Sequence, residues 1–179
     1  MRLFIALPLP EEVREKIISD TAPLREKYPG LKWVRRDALH LTLSFLGETG
    51  ESNVEPICSA MTKAVSGVEA FEMELGGLGF FPKKGPPRVL YTAVRIGSAE
   101  TRALYSALLG GLGKIGFEGR KKFTPHLTLA RIKGGGDTPD PERDGKDLAF
   151  SFTADRIVLY RSHLRPSGAV YETLGEAKL

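Results

Sequence analysis

The strongest constraint on the fold of this chain is a tetrapeptide that occurs twice. Residues 40–43 and 126–129 both read His-Leu-Thr-Leu, and together they hold two of the three histidines among 179 residues. Side chains alternate between the faces of a β-strand, so each copy places His and Thr on one face and the leucines on the other. The pattern predicts two similar strands and favours one site in which two imidazoles face each other.

The spacing around the two copies predicts an internal repeat. A short apolar strand begins at Leu3, 37 residues before His40, and another begins at Val89, 37 residues before His126. A helical pattern follows each of these strands, and a stretch that mixes cations with aromatic residues precedes each histidine. The two halves are therefore offset by 86 residues, which is the separation of His40 from His126.

The later segments extend the repeat. A strand predicted over Phe71–Phe81 corresponds, at the same offset, to a strand predicted over Phe152–Tyr160. Residues 134–145 stand where the first half has its second helix, and their Gly, Pro and Asp content predicts mostly loop. The second half is therefore expected to have lost or shortened one helix.

These elements indicate the fold class and the domain organisation. We expect an α+β fold with two pseudo-symmetric lobes of antiparallel sheet plus helices around a central cleft. Such symmetry would bring equivalent strands, and with them both histidines, to one cleft. Residues 1–179 would form a single bilobal domain, with sequence repeats over approximately 1–81 and 89–161.

Composition excludes several classes of protein. The apolar runs are far shorter than the roughly 20 residues of a membrane span, and residues 1–7, followed at once by Pro8, do not resemble a signal peptide. A single cysteine, Cys58, excludes an internal disulfide framework and a Cys-based zinc site. The net charge of +4 is compatible with an anionic partner. We expect a cytoplasmic monomer.

Two imidazoles with two hydroxyls suit acid–base chemistry at a phosphate. The unperturbed pKa of histidine, about 6.5, lets one ring act as a base while the other acts as an acid. Threonine hydroxyls can hold an anionic oxygen, and charge developing on a phosphoryl group needs such donors. Paired histidines can also bind a metal, but only Asp37 lies near the first motif and no carboxylate lies near the second. We therefore predict no metal site.

The residues around the two tetrapeptides resemble a known family. Before the first motif stands Lys32-Trp33-Val34, and after it Phe45-Leu46-Gly47; the second is flanked by Phe123-Thr124-Pro125 and Ala130-Arg131. With the ending 159–164, Gly168 and Tyr171, these resemble the 2H phosphoesterase superfamily, in particular its RNA 2′,3′-cyclic phosphodiesterases, also called 2′-5′ RNA ligases. The resemblance covers essentially the whole chain.

The resemblance implies a metal-free hydrolase without cofactors that opens a terminal 2′,3′-cyclic phosphate to a 2′-phosphate. Its substrates would be RNA with cyclic phosphate ends or small cyclic nucleotides, with 2′-5′ ligation as a possible second activity. It implies that His126 is the proton acceptor, that His40 is the proton donor, and that Thr42 and Thr128 hold the phosphate oxygens. Exchanging the two histidine roles would contradict nothing in the sequence.

Four further residues are candidates for substrate binding: Arg131, Phe45, Trp33 and Phe123. A guanidinium fork matches phosphate, and aromatics among cations can stack on a base. In a regular strand, however, Arg131 falls on the leucine face of its motif, and Phe45 falls on the equivalent face, where core packing is favoured. The cations that precede the motifs could steer an RNA backbone, and they are Arg35, Arg36, Lys121 and Lys122.

Three alternatives stay open at the level of sequence. A noncatalytic module that binds RNA ends or nucleotides would keep the basic cleft but would not need both histidines. Another 2H-type esterase could act on a small phosphodiester, although the basic aromatic segments favour RNA. A metal-dependent hydrolase would be sensitive to chelators. The third histidine, His163, lacks a Thr at the motif spacing and is predicted to lie on the surface.

Overall fold

A computed structural model describes residues 1–119, 122–134, 136–166 and 168–179. It contains nine strands and five helices within those residues. The strands are β1 (Arg2–Pro8), β2 (Lys32–Trp33), β3 (His40–Glu48), β4 (Phe71–Phe81), β5 (Val89–Ile96), β6 (His126–Arg131), β7 (Ala149–Ala154), β8 (Arg156–Arg165) and β9 (Gly168–Lys178). The helices are α1 (Glu11–Asp20), α2 (Ala22–Lys27), α3 (Val54–Val65), α4 (Ser98–Gly113) and α5 (Pro141–Asp144).

The strands form two antiparallel sheets, which confirms the predicted α+β fold. The first sheet has the order β3-β1-β8-β9, and the second has the order β2-β6-β5-β4-β7. Each His-Leu-Thr-Leu strand therefore pairs with the first strand of its own half, β3 with β1 and β6 with β5. The two motifs occupy equivalent places in two similar sheets.

The two halves of the chain exchange strands between the sheets. Strand β4, from the first half, pairs with β5 in the second sheet, whereas β8, from the second half, pairs with β1 in the first sheet. Each sheet therefore needs both halves of the chain. This exchange ties the lobes together.

The predicted strand over Phe152–Tyr160 is wrong, because two strands occupy this stretch. Strand β7 ends at Ala154 and pairs with β4, and β8 begins at Arg156 and pairs with β1. The chain thus changes sheet at Asp155. Only Asp155 and Arg156 interrupt the apolar pattern here, with no Gly or Pro, and buried side chains lie on both sides of them, so the sequence reads as one strand.

Leucines on the inner faces of the sheets form the core. Leu41 and Leu127, the first leucines of the two motifs, are fully buried. Helices α3 and α4 pack closely on each other. A Cβ atom added at Gly111 would lie only 3.2 Å from the Ala60 methyl group. Burial of the leucine faces fixes the His-Thr faces toward the other side of each sheet.

The Gly- and Pro-rich segment of the second half contains one short helix in its described part. Helix α5 begins after Asp140, whose carboxylate accepts hydrogen bonds from the N–H groups of Glu142 and Arg143. No helix in the described ranges has both the length and the apolar character needed to cross a membrane.

Candidate active site

Both motif strands contain a β-bulge at the same position. In the first sheet, Ile5 pairs with Ser44 and Ala6 pairs with Thr42, so that Leu43 is an extra residue. In the second sheet the strand β6 shifts register in the same way, with Ala130 and Thr128 paired to neighbouring residues of β5. Leu129 is the extra residue there.

The bulges reverse the alternation of side chains after each threonine. Leu43 and Ser44 are both buried, and Phe45, which follows them, is 56% exposed. In β6 the two buried neighbours are residues 129 and 130, and Arg131 is exposed. The expectation that Phe45 and Arg131 share the leucine face is therefore wrong. A bulge re-aims the side chains beyond it, and both residues line the same cleft as the histidines.

The two motifs line one cleft of about 910 Å³. His40 and Thr42 enter it from the first sheet, and His126 and Thr128 enter it from the second. Within the described residues, its charged side chains are all cations and no carboxylate lines it. The cations are Arg2, Lys32, Arg35, Arg131 and Arg165. The cleft is therefore suited to an anion.

Backbone carbonyls orient both imidazoles in the same way. The Nδ1 atom of His40 lies 2.9 Å from the carbonyl oxygen of Ala38, and Nδ1 of His126 lies 2.7 Å from that of Thr124. A carbonyl can only accept a hydrogen bond, so Nδ1 carries hydrogen in each ring. Nε2 is consequently the atom whose protonation changes when either ring titrates.

Aromatic side chains surround both imidazoles. The ring of His40 lies 4.7 Å from that of Phe4 and 5.2 Å from that of Tyr171, between ring centroids. The ring of His126 lies 4.9 Å from that of Phe81 and 5.4 Å from that of Tyr91. Each imidazole is therefore packed against two aromatic rings.

The surroundings of His40 lower its pKa to about 4. Burial is the largest cause, and the positive charges of Arg14 and Arg131 act in the same direction, whereas the hydrogen bond to Ala38 opposes them. The ring is therefore neutral at pH 7 in the unliganded protein. Arg131 belongs to the second sheet, so part of the positive field at His40 comes from across the cleft.

Trp33 lines the cleft and is held there by three contacts. Its Nε1–H donates to the carbonyl of Tyr28 at 3.1 Å, and the guanidinium of Arg25 lies 5.0 Å from the centre of its ring. Its backbone pairs with Ala130 of β6. A rigidly held indole at the edge of a cleft can contact a flat ligand group.

Phe123 does not join the site. Its ring stacks on that of Tyr105 in α4, with centroids 4.1 Å apart, and it is absent from the described residues that line the cleft. It belongs to the apolar packing around the core. Substrate binding by Phe123 stays a prediction, and the stacking on Tyr105 and the packing against the core do not support it.

The other polar candidates are divided between the cleft and the surface. Arg35 lines the cleft, whereas Arg36 pairs with Glu11 at 2.8 Å. His163 pairs with Glu172 at 2.7 Å and lies at the surface of the first sheet. Lys121 lies outside the described residues. The described residues contain no group of three or more His, Cys, Asp or Glu that could hold a metal ion.

Several cleft residues were not predicted from the sequence as site residues. Phe4 and Tyr171 reach His40 from β1 and β9, and Arg2 and Arg165 come from the ends of β1 and β8. None of them stands near a motif in sequence. Only the strand order, which places β1 between β3 and β8, brings them to the site.

Comparison with known proteins agrees with this geometry. The family model described as LigT-like phosphoesterase matches residues 7–91 and 96–171. A Thermotoga maritima protein named RNA 2′,3′-cyclic phosphodiesterase is 34% identical over 182 residues, which cover 99% of this chain and 95% of the relative. A Thermus thermophilus protein of the same name is 36% identical and aligns over 100% of this chain and 90% of its own length.

Solved structures share the whole fold. A crystal structure of a Thermus thermophilus protein superposes with a TM-score of 0.86 at 32% identity, over 100% of this chain and 98% of that chain. Escherichia coli LigT complexed with 3′-AMP gives a TM-score of 0.80 at 26% identity, over 99% and 97% of the two chains. With the two His-Leu-Thr-Leu strands in one cationic cleft, this chain belongs to the LigT-like phosphoesterase family.

Proposed function

We propose that this chain is an RNA 2′,3′-cyclic phosphodiesterase that opens a terminal cyclic phosphate to a 2′-phosphate. The observation that carries the proposal is the pair of imidazoles in one cleft, each anchored through Nδ1, together with two threonines and Arg131. The names of the Thermotoga and Thermus relatives support the same activity.

The reaction needs one base and one acid. Nε2 of His126 carries no hydrogen and accepts a proton from water as the water oxygen forms a bond to phosphorus. The bond from phosphorus to the 3′ oxygen then breaks, and His40 donates the proton from its Nε2 to that oxygen. The product carries a 2′-phosphate and a 3′-hydroxyl. A 5′-hydroxyl in place of water would form a 2′-5′ linkage through the same groups.

Thr42, Thr128 and Arg131 stabilise the phosphate in this scheme. Hydroxyl and guanidinium donors can bind the non-bridging oxygens, on which negative charge increases in the transition state. Arg131 reaches them because of the bulge at Leu129. These groups belong to the chain, so the proposed reaction needs no metal ion.

His40 must gain a proton to act as the acid. Its pKa of about 4 applies to the unliganded cleft, where burial and nearby cations disfavour the charged ring. An anionic phosphodiester beside the ring would neutralise part of that positive field and raise the pKa. We therefore expect substrate binding and protonation of His40 to occur together.

The first experiment measures hydrolysis of a 2′,3′-cyclic nucleotide in excess EDTA, with product analysis for 2′- and 3′-phosphate. We expect chelator-resistant formation of the 2′-phosphate, and losses of about 10²–10⁴ in kcat for His40→Ala and His126→Ala. Binding of cyclic-ended RNA without turnover by the wild type would instead support the noncatalytic module. Loss of activity on chelation would support a metal-dependent hydrolase.

A substrate with sulfur in place of the 3′ oxygen distinguishes the acid from the base. A thiolate is a far weaker base than an alkoxide and leaves without a proton. His40→Ala should therefore regain most of its activity on this substrate, whereas His126→Ala should remain inactive. If His126→Ala regained activity on this substrate instead, His126 would be the acid and His40 the base.

A further inference from the structure

Part of the cleft lies beyond the groups that the proposed reaction uses. The reacting groups come from β3 and β6, whereas the end of β8 and the starts of β9 and β1 supply other lining residues. We call this second part the hairpin surface. It consists of Arg2, Leu164, Arg165 and Ala169.

The hairpin surface exposes apolar area inside a cationic cleft. Leu164 is 71% exposed, and Phe45, which also lines the cleft, is 56% exposed. They are two of four large apolar side chains that are exposed in the described ranges. Exposed apolar groups that are clustered at a cleft, rather than scattered singly, indicate contact with a ligand.

The hairpin surface also holds more positive charge than one phosphate requires. Arg2 and Arg165 form no ion pair with another described residue, whereas Arg161, on the same strand as Arg165, lies 3.8 Å from Glu172. Thr42, Thr128 and Arg131 already provide donors for the reacting phosphate. The additional arginines are therefore available for further phosphates.

We propose that the hairpin surface binds the nucleotides immediately upstream of the reacting end of a single-stranded RNA. Arg2 and Arg165 contact upstream phosphodiesters, and Leu164 and Ala169 contact a base or ribose. Arginine mixed with apolar surface is the chemistry by which proteins bind single strands without reading sequence. The proposal rests on the function above and specifies its substrate as an RNA strand rather than a mononucleotide.

The test compares a 2′,3′-cyclic mononucleotide with a short oligoribonucleotide that ends in the same cyclic nucleotide. The measured quantity is kcat/KM for each across a series of KCl concentrations. We expect a higher kcat/KM for the oligonucleotide than for the mononucleotide. We also expect its kcat/KM to fall more steeply with KCl: the slope of log kcat/KM against log [KCl] should be steeper by about 0.7 for each extra phosphate contact.

Three variants assign this preference to residues. Arg165→Gln should lower the ratio of kcat/KM for the oligonucleotide to kcat/KM for the mononucleotide. It should also reduce the difference between the salt slopes of the two substrates by about 0.7. Leu164→Ser should lower the ratio but leave the salt slopes unchanged, because it removes no charge. Arg161→Gln is the matched control, on the same strand but outside the cleft lining, and should keep both. Thermal unfolding of each variant checks the fold.

The outcomes separate this inference from the function on which it rests. Equal kcat/KM for the two substrates would overturn the inference while the proposed function stands. A preference that persists in both Arg165→Gln and Leu164→Ser would also overturn it. Failure of the wild type to hydrolyse either substrate would contradict the proposed function itself, and the inference with it.

Discussion

The backbone N–H of Val34 donates a 2.8 Å hydrogen bond to the carbonyl of Leu129, the extra residue in the bulge of β6. The bond joins the segment that leads into the first motif to the strand that holds the second motif. Lys32 and Arg131 continue the same pairing. The direction of Arg131 depends on the bulge, so the first half of the chain helps to position a cation of the second.

Arg25 should act on the reaction through this connection. Its Nη2 donates to the carbonyl of Val34 at 3.1 Å, and its Nε donates to Thr21 Oγ1 at 3.1 Å. Loss of a charged donor costs about 1.5–3 kcal/mol, and we expect Arg25→Gln to lower kcat/KM about tenfold. In an Arg131→Gln background the same change should have little further effect, as a double-mutant cycle would measure.

The control for this cycle is Lys16→Gln, which removes one positive charge from the exposed Lys16–Asp20 pair. It should leave kcat/KM close to that of the wild type. Strictly additive effects of Arg25→Gln and Arg131→Gln would show that Arg25 does not act through Arg131.

The pKa of His40 predicts a stability that depends on pH. The native pKa, about 4, lies below the value of about 6.5 for an unfolded chain. The unfolded state therefore binds more protons between these values, and the free energy of unfolding falls as the pH falls from 6.5 to 4. The loss is at most about 3 kcal/mol, since water in the cleft weakens the penalty.

Urea unfolding at several pH values, with wild type and His40→Gln, measures this contribution. Because glutamine does not titrate, the variant should lose less stability than the wild type between pH 6.5 and 4. Parallel curves for the two proteins would show that the ring titrates normally in the native state.

The charge of Arg131 should be visible in the titration of His40. Arg131→Gln removes a positive charge that disfavours the imidazolium, so the pKa of His40 should rise. Arg14→Gln should act in the same direction. NMR titration of the His40 ring measures both effects, with Arg161→Gln as a control that should leave the pKa unchanged. A His40 pKa that is unaffected by Arg131→Gln would show that the charge of Arg131 does not act on the His40 ring across the cleft.

The sequence predicts the elements that depend on local pattern and misses those that depend on register. The strand Phe71–Phe81 has the bounds that its apolar pattern predicts, and β5 begins at Val89 as the repeat predicts. The placement of His40 and His126 in one cleft also follows, because the repeated tetrapeptide specifies equivalent positions in two similar sheets. Their shared anchoring through Nδ1 is a consequence of backbone geometry at the strand entrances, which no side-chain pattern encodes.

The bulges are the main feature that could not be predicted from the sequence. Strict alternation assigns Phe45 and Arg131 to the leucine face, and one extra residue in each strand moves both to the cleft. The strand pairing that creates the bulges involves partners distant in sequence. Phe123 shows the converse, since its residue type suggests base stacking but the ring of Tyr105 lies against it.

Asp144 should contribute measurably to stability although it lies outside the cleft. Its carboxylate accepts hydrogen bonds from the hydroxyl of Tyr28 at 2.8 Å and from Lys27 Nζ at 3.2 Å, which attaches α5 to the end of α2. The carbonyl of Tyr28 in turn accepts from Trp33. Hydrogen bonds with Arg143, with smaller contributions from the Asp140 N–H and its other partners, hold the pKa of Asp144 far below its usual range.

We expect Asp144→Asn to lower the free energy of unfolding at pH 7 by about 1–3 kcal/mol, because several donors lose a charged acceptor. Asp20→Asn is the matched control, since its partner Lys16 is exposed, and it should cost well under 1 kcal/mol. The native carboxylate of Asp144 stays ionised in acid while the unfolded one takes up a proton below about pH 3.9. Stability from Asp144 is therefore lost as the pH falls through that value, and the wild type should lose more stability than Asp144→Asn between pH 7 and 3. Equal costs for the two asparagine variants at pH 7 would show that the attachment of α5 to α2 does not depend on this carboxylate.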